Sequence, residues 1–103
     1  MFYHFDQNNS GGEFHGPARN VFIEALDSGH ANQIAESIGI YFDGVDMGYD
    51  CPCCGNRWNP VYRYESMSFE DVTTFIQTRS YADDRMVFAA VYFLNGNVVK
   101  TKE

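Results

Sequence analysis

A chain of 103 residues with 45% apolar and 17% aromatic residues, among them nine Phe and seven Tyr, has the size of one domain and enough apolar mass to build a core. A disordered chain lacks such aromatics. Seven basic against fourteen acidic residues leave a formal charge of −7, which repels phosphate backbones and anionic bilayers and makes a nucleic-acid polymer or a membrane surface an unexpected partner.

No apolar run approaches the roughly 18 residues of a membrane span. The start, Met1-Phe2-Tyr3-His4, has no basic segment of the kind that opens a secretory leader. The expected location is therefore the cytoplasm. There, three clustered cysteines point to metal or redox chemistry rather than to structural disulfides.

In chain order, residues 1–7 read as a strand. The turn formers Asn8-Asn9-Ser10-Gly11-Gly12 follow, then a short strand at Glu13-Phe14-His15 that Gly16-Pro17 interrupts. Val21-Phe22-Ile23-Glu24-Ala25-Leu26 reads as a strand, continuous enough to be central in a sheet. Asp27-Ser28-Gly29 caps a helix whose face is Ala31, Ile34, Ala35 and Ile38, with Gly39 as its stop. Residues 43–60 are irregular, and a loop of that length in a small domain is functional, metal-held or disordered.

Val61-Tyr62-Arg63-Tyr64 alternates like a strand. Ser68-Phe69-Glu70-Asp71 resembles a capping box and opens a second helix, with Phe69, Val72, Phe75 and Ile76 on its face, running to about Arg79. Met86 to Leu94 reads as a buried strand, and Asn95-Gly96 turns it into Val98-Val99-Lys100-Thr101. The expected fold is α+β: a mostly antiparallel sheet of about five strands, two helices on one face and a Cys-containing loop, all within one domain.

Cys51-Pro52-Cys53-Cys54-Gly55 is the most chemically specific stretch. Cys51 and Cys54 stand in C-x-x-C spacing, and Gly55 permits the positive φ of a zinc knuckle. The knuckle supplies half of a tetrahedral site, and no residue has the spacing to complete it. Cys53 points elsewhere if the knuckle forms. Zinc held by Cys51, Cys54 or Cys53 and a metal-free turn with reduced thiols both remain open.

Two further segments carry polar chemistry. Gln7-Asn8-Asn9-Ser10-Gly11-Gly12 is a loop of three carboxamides, a hydroxyl and two bare glycines. It is a turn at minimum, and it has the donors and backbone access to hold a base, a ribose or a phosphate. Arg57-Trp58 follows the cysteines. Either Trp58 packs in the core and Arg57 pairs with an acid, or the pair offers a stacking face and a guanidinium to a ligand. No nucleophile–base motif is present, and Asp43, Asp46 and Asp50 lack the spacing of a calcium loop.

The combination of Phe5-x-Gln7-Asn8-Asn9-Ser10-Gly11-Gly12-x-Phe14, Ile40-Tyr41-Phe42-Asp43-Gly44 and Asp50-Cys51-x-Cys53-Cys54-Gly55-x-Arg57-Trp58 is similar to small proteins of tailed bacteriophages and prophages. Those proteins often carry another Cys shortly after the Asp-Gly pair, where this chain has Val45. The resemblance implies a protein at work in the host cytoplasm, and some such proteins sequester the nucleotide signals of bacterial immunity. The leading expectation is thus a non-enzymatic protein that binds a small nucleotide-like ligand through Gln7, Asn8, Asn9, Ser10, Gly11, Gly12, Tyr41, Arg57 and Trp58, with a homodimer as one arrangement. The alternatives are a zinc-knuckle module that binds a host protein and a hydrolase acting on a nucleotide signal.

Overall fold

The computed structural model describes residues 1–8, 16–53, 55–79 and 89–101. Four strands and two helices follow in the order β1 (Phe2–Asp6), β2 (Asn20–Glu24), α1 (Ser28–Ser37), α2 (Phe69–Arg79), β3 (Ala89–Tyr92) and β4 (Val98–Thr101). The strands lie in the spatial order β1-β2-β3-β4. β1 and β2 pair antiparallel, β2 and β3 parallel, and β3 and β4 antiparallel. The fold is α+β, as expected, but among the described residues the sheet is four-stranded and mixed rather than mostly antiparallel with about five strands.

The parallel pair is the buried centre of the sheet. Val21, Phe22 and Ile23 are consecutive, apolar and buried, so both faces of β2 must be covered. Val21 and Ile23 join Tyr3, Phe5 and Ala90 in one core, against Ala31 and Ala35 of α1. Phe22 joins Phe2, Ala89 and Val91 in a second core, against Val72, Phe75 and Ile76 of α2. Adjacent strand residues point to opposite faces, so the helices flank the sheet. The expectation of both helices on one face is corrected by this split.

Local signals set the helix ends. Asp27 caps α1 by accepting from the His30 N–H at 2.8 Å. The helix closes when Gly39 and Ile40 donate back to the Glu36 and Ala35 carbonyls, the double bond of a Schellman stop. At α2, the Asp71 N–H donates to Ser68 Oγ at 3.1 Å and Asp71 Oδ2 accepts from the Ser68 N–H at 3.2 Å. That is a reciprocal capping box with Asp in the fourth position. Phe69 departs from the expected buried face. It is half exposed and joins Phe2 and Phe93 in a ring cluster with centroids 5.7–5.9 Å apart.

Two strand expectations change. Val61–Tyr64 is not a strand. The side chain of Asn32 takes both the Val61 N–H (2.9 Å) and its C=O (3.1 Å), occupying the groups that strand pairing would use. The chain then closes a 3-10 turn at Arg63–Glu65, with the Glu65 N–H on the Tyr62 carbonyl at 2.9 Å. The strand expected at Met86–Leu94 runs over Ala89–Tyr92 and ends where the Phe93 N–H bonds the Asn97 carbonyl across the Asn95-Gly96 turn. The expected strand at residues 13–15 and the segment 86–88 lie outside the described residues. No helix among the described residues is long and apolar enough to cross a membrane.

Asn32 ties α1 to a buried coil residue through one carboxamide. Asn32→Ala strands a buried donor and acceptor at Val61 and is expected to lower stability by about 1–3 kcal/mol. Urea unfolding measures this, and an unchanged midpoint would show that the clamp contributes nothing.

Candidate functional site

The polar end of β1 is where the chain's chemistry collects. Past Asp6 the β1–β2 ladder continues as the Gln7 N–H bonds the Arg19 carbonyl at 3.4 Å, and Gln7 Nε2 donates to the Ala18 carbonyl at 2.9 Å. Asn8 then meets the segment after the cysteines. Its N–H donates to the Arg57 carbonyl at 3.1 Å, and its side chain donates to the Asn56 carbonyl. Arg57 answers through Nη1, which donates to the Asn8 carbonyl at 3.3 Å and to Gln7 Oε1 at 3.4 Å. The fold thus brings the Gln7-Asn8 and Arg57-Trp58 segments together.

Beneath this rim lies a buried ion pair. Arg57 is 3% exposed, and its Nε stands 3.5 Å from Oδ1 of an Asp50 side chain with no exposure. Asp50 Oδ2 accepts from the Arg57 backbone N–H at 2.8 Å. The Tyr41 hydroxyl donates to Asp50 Oδ1 at 3.1 Å and accepts from Arg57 Nε at 3.2 Å. Burial pushes the Tyr41 hydroxyl above its ordinary value, against the pull of Arg57. The phenol therefore keeps its proton and remains a donor to the carboxylate.

Local turns place these groups. The Tyr49 and Asp50 N–H groups both donate to the Gly44 carbonyl, at 2.8 and 3.1 Å, which folds residues 44–50 so that Asp50 turns inward. Asn56 Oδ1 accepts from the Val45 N–H at 2.9 Å and ties this turn to the far side of the cysteines. Gly44 sits against the Asp50 carboxylate so closely that a Cβ there would overlap it and crowd the Tyr41 ring at 2.8 Å. Only glycine permits this approach.

Each residue expected at the site now has a place. Arg57 pairs with an acid and Trp58 is wholly buried in the α1-side core, the internal reading of that dipeptide. Neither ring face of Trp58 is open for stacking, and the Arg57 charge is already compensated by Asp50. Trp58 Nε1 has no hydrogen-bond partner among the described residues. Tyr41 is half-buried, and its ring meets that of the exposed Tyr49 in a T-shaped contact with centroids 5.3 Å apart. Asn9, Ser10, Gly11, Gly12 and Cys54 lie outside the described residues.

Sequence reading missed Asp50 as the partner of Arg57. The available signal was the tight turn between them, which returns the chain and sets residues seven apart side by side. In that turn Gly55 has φ +84° and its N–H donates to the Cys51 carbonyl at 3.2 Å, the conformation a knuckle requires. Cys51 is half-buried and Cys53 is exposed. Among the described residues no group of three His, Cys, Asp or Glu side chains converges as for a metal ion.

The chain matches, over residues 1–102, a family model described as a domain of unknown function, DUF7296. It belongs to that family. No curated protein and no solved structure matches it.

Removing one member of a buried ion pair strands the other charge, at a cost of about 3–5 kcal/mol. Arg57→Met is expected to destabilise by that amount, and the double variant Asp50→Asn/Arg57→Met to recover much of it. Gly44→Ala should destabilise through the same carboxylate. Chemical denaturation of the variants checks both, and a double variant no better than Arg57→Met would show that the charges are not coupled.

Proposed function

We propose that this protein is a non-enzymatic binding module that captures a small nucleotide-like ligand at the polar end of β1, and that it sequesters a bacterial immune signal in an infected host. The observation that carries the reading is the fixing of Gln7 and Asn8 against Arg57. The ion pair beneath makes that rim rigid, so little conformational entropy is lost there on binding. Arg57 and Trp58 enter as support, not as ligand contacts. The segment proposed to meet the ligand is Gln7 to Gly12, whose composition of carboxamides, a hydroxyl and two glycines suits the neutral polar edges of a base and ribose and, through N–H groups, a phosphate. The similarity to phage proteins supplies the setting.

Calorimetry against cyclic and ADP-ribose-type nucleotides tests this reading, with micromolar binding expected and the ligand recovered unaltered after heat release. Asn9→Ala should weaken binding about tenfold, or ~1.4 kcal/mol, without changing the melting temperature. Failure of the whole panel to bind would overturn it.

A second reading is a protein-interaction module with a zinc-held knuckle. One observation favours it. Tyr62 and Tyr64, 56% and 81% exposed, hold their rings nearly parallel with centroids 5.9 Å apart, on either side of the exposed Arg63. Tyr and Arg are the residues that most often dominate protein interfaces. This reading expects a host protein captured by the native chain and lost with Tyr64→Ala, and zinc near one per chain that Cys51→Ser removes. Metal far below one per chain ends the zinc part, and capture unchanged by Tyr64→Ala ends the platform.

A further inference from the structure

The two edges of the sheet differ. β1 is bridged at Phe2, which exchanges main-chain hydrogen bonds of 2.9 and 2.8 Å with Met67. β4 pairs with β3 alone among the described strands. The closing bond from the Phe93 N–H to the Asn97 carbonyl sets the alternation of that ladder, so Val91–Val99 and Ala89–Thr101 are its hydrogen-bonded pairs. Val98 and Lys100 therefore turn their N–H and C=O groups away from the sheet, and no described residue meets them.

Edge strands are commonly guarded by lysines, prolines, bulges or inward charges. β4 carries one such guard, Lys100, and beside it exposes Val98 (45%) and Val99 (55%). Val99 also borders an apolar cavity of about 270 Å³ between α2 and the β3–β4 pair, whose walls include Val72, Ile76, Val91 and Phe93. The open edge and an apolar surface are thus continuous.

We propose that β4 is a self-pairing edge: a second copy of this chain adds its β4 antiparallel, about a two-fold axis through Val99. The outward hydrogen-bonding groups allow three two-fold registers within the strand. Centring on Lys100 sets two ammonium groups opposite each other, which is unfavourable. Centring on Val98 runs each strand onto the other copy's Gly96 turn. Centring on Val99 pairs Val98 with the partner's Lys100, satisfies the outward groups of both, and packs the lysine stem on valine. It also sets Val99 against the partner's Val99 on the α2 face, joining the two apolar cavities. The contact is isologous, so it closes at two copies and removes the open edge rather than growing a fibre. Each copy carries −7, so the dimer should tighten as salt screens their repulsion.

This inference stands apart from the ligand reading, and its experiment does not use a ligand. Sedimentation equilibrium of the native chain should show the mass rising from 11.8 kDa toward twice that value with concentration, and more steeply at high salt. Val99→Lys should remain monomeric. Under mild oxidation Val99→Cys should cross-link to itself, because a non-hydrogen-bonded antiparallel pair brings Cα atoms to about 4.5 Å, within disulfide reach. Val98→Cys, displaced from the axis, should not. Peptide mass spectrometry separates these links from those of the native cysteines. A monomer up to about 1 mM, or equal self-linking at positions 98 and 99, would overturn the proposal.

Discussion

Two opposite charges removed from water are tolerated only if each also finds hydrogen bonds for its remaining polar atoms. Asp50 and Arg57 meet that demand, and much of the surrounding backbone is shaped by how they meet it. One carboxylate oxygen takes the Arg57 main-chain N–H and the other takes the Tyr41 hydroxyl. The guanidinium reaches Tyr41, Gln7 and the Asn8 carbonyl. Because these partners come from three separate stretches of chain, the ion pair fixes where the end of β1, the segment after α1 and the segment after the cysteines lie relative to one another. The absence of a side chain at Gly44 follows from the same packing.

The sheet imposes the second constraint. β2 is apolar on both faces, so α1 covers one and α2 the other. The chain must therefore pass from one side of the sheet to the other between the two helices. It covers the α1 side first, with Ile40, Trp58 and Val61 packed into that core. It then rounds the β1 edge, where Met67 bridges Phe2. The long irregular stretch is thus a second covering layer held by side-chain amides. Asn32 and Asn56 do there what strand pairing does elsewhere, satisfying backbone groups that would otherwise be buried without partners.

Function divides along the same lines. Arg57 and Trp58, which the sequence offered as ligand contacts, lie in the interior. What they support is a rim of carboxamides at the end of β1. The surfaces that remain open are of other kinds: the parallel tyrosines beside Arg63, and the valine-lined edge of β4. The proposed ligand rim, aromatic platform and self-pairing edge thus lie at separate places on one small acidic domain.

Patterns confined to a few consecutive residues were legible in the sequence. The Asp27 cap, the Gly39 stop, the Ser68–Asp71 box, the Asn95-Gly96 turn and the positive φ of Gly55 each follow from local sterics and local hydrogen bonds, and each stands where the sequence places it. The continuity of Val21-Phe22-Ile23 already marked a central strand. Tertiary structure alone decided that β2 and β3 run parallel, that the helices flank the sheet, and that Arg57 pairs with Asp50. It also turned Val61–Tyr64 from a strand into a clamped coil, because Asn32 is remote in sequence and reaches it only across the fold. Those outcomes depend on which distant group arrives to satisfy a buried charge or amide, and a one-dimensional pattern does not contain that information.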